Sequence, residues 1–152
     1  MDVRLAQSQD IDQLIRLRHD FTLEDDLTAR LVDGYETACR TFLERALTGG
    51  RWRIFVAACD DEIVSHAYVE LVDKVPRPTR EAARWGYVTN VYTVPAQRGR
   101  GIGAAVLGEV TTWADRAALE LLIVWPSDES RSFYARHGFA EASDPMIRRL
   151  AG

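Results

Sequence analysis

Apolar and polar positions along the chain change period often enough to mark short elements. Val3-Arg4-Leu5-Ala6 alternates like a brief strand, and Ser8 then stands where it can cap a helix. Ile11, Leu14, Ile15 and Leu17-Arg18 follow at helical spacing. From Phe21 to Gly34 the period is lost in a mixed, acidic stretch containing Glu24-Asp25-Asp26. Tyr35 to Leu47 predicts a second helix with Ala38, Phe42 and Ala46 on one face, and Gly49-Gly50 ends it. Two apolar runs, Arg51 to Cys59 and Ile63 to Val72, flank Asp60-Asp61 and predict a β-hairpin. The prolines of Val75-Pro76-Arg77-Pro78-Thr79-Arg80 deny regular pairing, so the next strand is Trp85 to Val94.

A long helix is predicted from about Gly101 to Ala118, with Ile102, Ala105, Val106, Val110, Trp113 and Ala117 on one stripe. The continuous apolar run Leu119 to Trp125 predicts a strand covered on both faces. Ser127 opens a last short helix that Gly138 closes, and Phe139 to Ala142 with Met146 to Leu150 predict a closing hairpin around Ser143-Asp144-Pro145. The order is β-α-α-β-β-β-α-β-α-β-β, a mixed α/β chain. Within it, Trp85 to Trp125 should form a parallel, right-handed crossover.

The junction inside that crossover carries the candidate chemistry: Val94-Pro95-Ala96-Gln97-Arg98-Gly99-Arg100-Gly101-Ile102-Gly103-Ala104. Three glycines at alternate positions remove Cβ atoms where a helix begins, and no Ser, Thr, Asp or Asn caps its orphan N–H groups. Such a start suits an anion, most often a phosphate. A Walker-type loop needs Lys-Ser or Lys-Thr after its last glycine, whereas Gly103 is followed by Ala104-Ala105. Gly99, Gly101 and Ala104 formally meet the dinucleotide fingerprint, but Glu120 falls at the wrong end of the next strand to hold a ribose.

Composition narrows the classes. The 152 residues suit one domain, 1–152, and 47% hydrophobic with 28% charged residues is ordinary globular usage. A net charge of −4 argues against nucleic acid as partner and leaves cationic ligands open. No apolar run reaches the ~18 residues of a membrane span, and Met1-Asp2-Val3-Arg4 has no signal-peptide character, so a cytoplasmic location is expected. Cys39 and Cys59 read as buried free thiols, and His19, His66 and His137 have no zinc-ligand spacing, so no metal is expected.

Arg98-x-x-Gly101-x-Gly103 after Val94-Pro95 resembles the signature of the GNAT superfamily of N-acetyltransferases. Ser130-Arg131-Ser132-Phe133-Tyr134-Ala135-Arg136-His137-Gly138-Phe139 is similar to its second motif, and the pair covers most of what the element order also matches. The resemblance implies a mostly antiparallel central sheet with a V-shaped splay between the fourth and fifth strands. It implies acetyl-CoA as cosubstrate, with the pyrophosphate on the backbone amides of Gly99, Arg100, Gly101, Ile102, Gly103 and Ala104 and with Arg98 adding charge. It places the pantetheine arm along Tyr92, Thr93 and Val94, where peptide-like amides can pair as a pseudo-strand. It makes Tyr134 the general acid that protonates the departing thiolate. Where many members carry Asn and Ala, this chain has Ser127 and Ser130.

The function implied is acetyl transfer to a primary amine, small or on a peptide or protein, within a ternary complex. The alternative is a non-catalytic acyl-CoA-binding sensor or interaction module. For the base, Glu70 is the tentative choice; Asp73, Glu24, Asp25, Asp26, His19 and His66 are further candidates, and Asn90 and Tyr92 could line the site. The acidic trio could also attract a cationic amine. The Lys74 to Arg84 loop is expected to border the cleft, and the closing strands are compatible with a homodimer.

Overall fold

The β-hairpin at the centre forms because Asp60 and Asp61 both take left-handed backbone (φ 49° and 65°), the conformation a two-residue hairpin turn requires. A computed structural model describes residues 1–79, 81 and 83–151 of the protein. Five strands make one sheet in sequence order: β1 (Asp2–Leu5), β2 (Trp52–Cys59), β3 (Glu62–Asp73), β4 (Arg84–Thr93) and β5 (Leu122–Val124). All neighbours are antiparallel except β4 and β5, which run parallel. Helices α1 (Ile11–Asp25) and α2 (Tyr35–Thr48) cover one face; α3 (Ile102–Arg116) and α4 (Arg131–Arg136) belong to the other.

Alternation along β2 and β3 splits the core in two. Ile54, Val56, Ile63 and Tyr68 pack under Leu14, Ile15, Leu43 and Ala46, while Phe55, Ala57, Ala67 and Val69 pack under Val106, Leu107 and Val110. On α2 the buried stripe is Leu43 and Ala46; Phe42, expected inside, is 38% exposed and meets Trp52 edge-on. Ser8 does not cap α1. A tight turn precedes that helix, in which the Asp10 carboxylate accepts the Gln7 N–H at 2.7 Å and Arg4 at 2.7 and 3.1 Å.

Three further expectations are corrected. The helical period does not end near Arg18: α1 runs to Asp25, since no Gly or Pro interrupts it, and stops where Asp26 turns its carboxylate onto Thr28 N–H and Oγ. The run Leu119 to Trp125 yields only three strand residues, all half-buried, because Leu119 is still tied back to Ala114 O. The closing hairpin is absent: residues 139–151 contain no strand, Pro145 has no N–H to donate, and Met146 and Leu150 lie in solvent.

β4 and β5 pair only at Gly86–Leu122, Tyr87–Ile123 and Val88–Val124. Beyond Val88, β4 continues to Thr93 without a partner on that side, which is the expected splay. The register also shifts there. Thr89 faces Tyr68 and Tyr92 faces His66, so β4 holds one extra residue, and Asn90 takes φ 48°. The described residues of the Lys74 to Arg84 loop lie at the other end of β4, with Lys74 on Glu120 at 2.7 Å, and do not border the splay; its Arg80 and Ala82 lie outside the described residues.

Candidate active site

The splay opens into two cavities that share a wall. The larger, about 600 Å³, runs between β4, the start of α3 and α4. Gly99 (φ 74°) and Gly101 (φ 75°) turn the chain into α3 through left-handed backbone. Gly101 occupies the N-cap position without a side-chain cap, and the first helical bond runs from Ala105 N–H to Gly101 O. The N–H groups of Ile102, Gly103 and Ala104 therefore have no intrahelical acceptor, and all three residues line the cavity. A Cβ on Gly103 would come within 3.2 Å of Thr93 Oγ1, whereas the positions of Cβ atoms on Gly99 and Gly101 are open space. An uncapped helix start facing a cleft, with no Cβ over it, fits a pyrophosphate.

Tyr92 and Thr93 line this cavity, as do Arg98, Gly99 and Gly101. Val94 does not: its N–H donates to Val64 O at 2.9 Å on the sheet side. The Arg100 side chain turns to Gln97 (3.3 Å). Arg98 sits over the Tyr92 ring, donates to Thr93 O at 2.9 Å and pairs with Glu24 at 2.5 Å. Glu24 also accepts the Tyr92 hydroxyl at 3.0 Å. The Arg98 bond, helped by that hydroxyl, holds the Glu24 carboxyl below its usual range against the cost of desolvation.

The second cavity, about 350 Å³, lies between α1, β4 and β5. Phe21, Asp25, Val91, Ser127, Ser130 and Tyr134 line both. Tyr134 is 7% exposed, and its hydroxyl has no hydrogen-bond partner among the described residues. Burial, with Tyr87 nearby, pushes the phenol up to about 12, so it is protonated throughout the physiological range. Its ring is fixed edge-on by Phe133 and Phe139.

The acidic trio separates. Glu24 engages Arg98, Asp26 caps Thr28, and Asp25 alone faces the shared wall. Glu70 is bound by Arg51 Nε at 2.7 Å and lines neither cavity, although its register partner Tyr87 lines the second. Asp73 pairs in register with Arg84, and His19 sits beside Asp20 at 3.3 Å; neither lines a cavity at the splay. His66 is fully buried, and desolvation lowers it to about 4. Asn90 lines the second cavity and Tyr92 the first, which the bulge between them explains. Sequence reasoning missed Arg18, Phe21 and Trp125 as wall residues; the unbroken helical period through Asp25 was the available signal for the first two.

A bare helix start facing a cleft in a splayed sheet, with an unpartnered phenol across from it, defines a site for a phosphate-bearing ligand. The model of the acetyltransferase (GNAT) domain matches residues 50–141, more than half of the chain, and the chain belongs to that family. Acetyl-CoA is its cosubstrate. The structure is similar to a predicted acetyltransferase with acetyl-CoA from Clostridium acetobutylicum, at 26% identity, TM-score 0.78, covering 98% of this chain and 96% of that one. It also resembles a GCN5-related N-acetyltransferase from Ralstonia eutropha (20%, 0.76, 99% and 99%). A third likeness is glucosamine-6-phosphate N-acetyltransferase from Arabidopsis thaliana (20%, 0.74, 99% and 98%). No curated protein matches the sequence. Among the described residues no helix is long and apolar enough to cross a membrane.

Proposed function

We propose that the whole chain, 1–152, is a single cytoplasmic N-acetyltransferase domain that moves the acetyl group directly from acetyl-CoA to a primary amine in a ternary complex. The observation that carries this is the common wall of the two cavities: Tyr134, Val91 and Asp25 border both, so donor and acceptor can meet there. Cys39 and Cys59 line neither cavity, which leaves no thiol to carry the acetyl group between them.

Acetyl-CoA supplies the activated acyl group. The uncapped amides of Ile102, Gly103 and Ala104 hold its pyrophosphate, and the unpaired edge of β4 at Val91, Tyr92 and Thr93 aligns its pantetheine arm. Asp25 takes up the proton that the amine releases as its nitrogen bonds to the acetyl carbon, directly or through water; Glu70 lines neither cavity and is engaged by Arg51. Tyr134 donates its proton to the sulfur as the carbon–sulfur bond breaks. Its pKa of about 12 lies above that of a thiol near ~8.5, so full transfer runs uphill: the phenol steadies the charge building on sulfur by hydrogen bonding, and the tyrosinate left when the proton does pass is reprotonated from water.

The test has two stages. Acetyl-CoA at ~100-fold over its Kd should raise Tm by about 5–10 °C. Thiol release across a panel of amines should then identify acceptors, and Tyr134→Phe should lower kcat by about 10²–10⁴ without changing KM for acetyl-CoA. Stabilisation without thiol release from any amine, and with Tyr134→Phe silent, would instead favour a non-catalytic acyl-CoA-binding module.

A further inference from the structure

The second cavity contains two charged side chains, Arg18 and Asp25, and neither has an ion-pair partner among the described residues. Both project from the α1 stripe that Phe21 shares, at positions three and four residues apart. Asp25 stands on the wall common to both cavities; Arg18 and Asn90 border only the second. The guanidinium is placed by more than its own helix. One Nη1 donates to Asn90 Oδ1 at 3.1 Å, and its carbon lies 5.4 Å from the Phe21 ring centre. Asn90 itself is held in left-handed backbone at the bulge, and its carbonyl pairs with His66 Nδ1 at 2.8 Å. Since a carbonyl only accepts, His66 Nδ1 carries the proton, and the Nε2 lone pair is buried without a partner. A strained asparagine fixed by a buried imidazole, holding an arginine by one N–H, leaves the remaining guanidinium donors for an anion.

We propose that the amine acceptor itself carries an anionic group, carboxylate or phosphate. Arg18 seats that anion while the amino group meets Asp25 and Tyr134 at the shared wall. This rests on the acetyl-transfer reading and names its substrate class. Seven residues of helix separate Arg18 from Asp25 by about 10 Å along the axis, and the long arginine shortens that span. The substrate therefore needs several bonds between its two charges. A cavity of about 350 Å³ is at the small end of ligand sites and suits a metabolite.

The experiment titrates the coenzyme A-loaded protein with matched probes: γ-aminobutyrate against n-butylamine, and phosphoethanolamine against ethanolamine. At least one member bearing the anionic group should bind about 10- to 100-fold more tightly than its counterpart without it. The favoured pair tells carboxylate from phosphate. Arg18→Gln should bring that ratio close to one, and Arg18→Lys should restore part of it. The acetyl-CoA-induced shift in Tm reports that each variant is folded. If neither anionic probe outbinds its counterpart, or if Arg18→Gln leaves the ratio unchanged, the inference is overturned while acetyl transfer stands. Failure of acetyl-CoA to stabilise the unaltered protein would instead count against acetyl transfer itself.

Discussion

The larger cavity offers a run of backbone groups beside its side chains: amides at the start of α3 and the open edge of β4. The smaller one draws its polar groups from side chains, Arg18, Asp25 and Asn90, contributed by elements about seventy residues apart in sequence. Backbone recognition needs residues that leave room and adopt particular φ values, so it writes glycines into a contiguous stretch. Side-chain recognition needs only that the fold bring a few residues together. The first constrains local sequence strongly; the second allows the acceptor to differ between proteins that bind the same donor.

The largest contrast expected between the two halves is in pH response. The buried His66, bonded to Asn90 in the wall of the second cavity, has a folded pKa of about 4, against 6.5 for the free group. The unfolded chain binds the extra proton between those values, so stability is complete above pH 6.5 and is lost as pH falls toward 4. The loss amounts to about 3 kcal/mol. Urea unfolding across that range should show the slope in the native protein and its absence in His66→Phe, whatever the absolute stability of the variant. A slope that survives in His66→Phe would assign it to carboxylates.

That difference also explains which parts were legible. The turn at Gly99, Gly101 and Gly103, the helix with Phe133 and Tyr134, and the hairpin at Asp60-Asp61 are contiguous and were readable as such. Glu70, the tentative base, lines neither cavity, because its position depends on strand register and Arg51 claims it across the hairpin. Val94 was expected in the cofactor wall, but its N–H faces β3, a direction that the alternation of the strand fixes only once the bulge at Asn90 is known. The closing hairpin failed for a different reason: local pattern alone cannot supply a partner strand, and β5 is only three residues long.

A smaller effect isolates the backbone contribution. Gly101 and Gly34 have nearly the same left-handed φ, 75° and 77°, and each precedes a helix, with nothing within 4 Å of where a Cβ would stand at either site. Alanine at either position should cost about 1–2 kcal/mol of stability through backbone strain. Only Gly101→Ala should also weaken acetyl-CoA binding, by about tenfold, because relaxing its φ swings the amides of Ile102 and Gly103 off the pyrophosphate. Calorimetric titration of both variants separates strain from recognition. Equal loss of affinity in Gly34→Ala would break the assignment of the α3 start as the cradle.

The smallest expected effect lies within the larger cavity. Glu24 and Tyr92 hold Arg98 across the mouth of the larger cavity, so the arginine is not free to face a phosphate unless it leaves the carboxylate. The pair is partly exposed, with Glu24 at 35% and Arg98 at 47% of side-chain surface accessible, and such pairs are worth about 0.2–1 kcal/mol. Glu24→Gln removes the competing charge and should tighten acetyl-CoA binding by no more than about fivefold. Because the released Arg98 then pairs with phosphate, the gain should shrink as salt is raised. Weaker binding in Glu24→Gln would mean that the carboxylate orients Arg98 for the cofactor instead of competing for it, and that recognition in the larger cavity needs a side chain from α1 as well as the backbone at the start of α3.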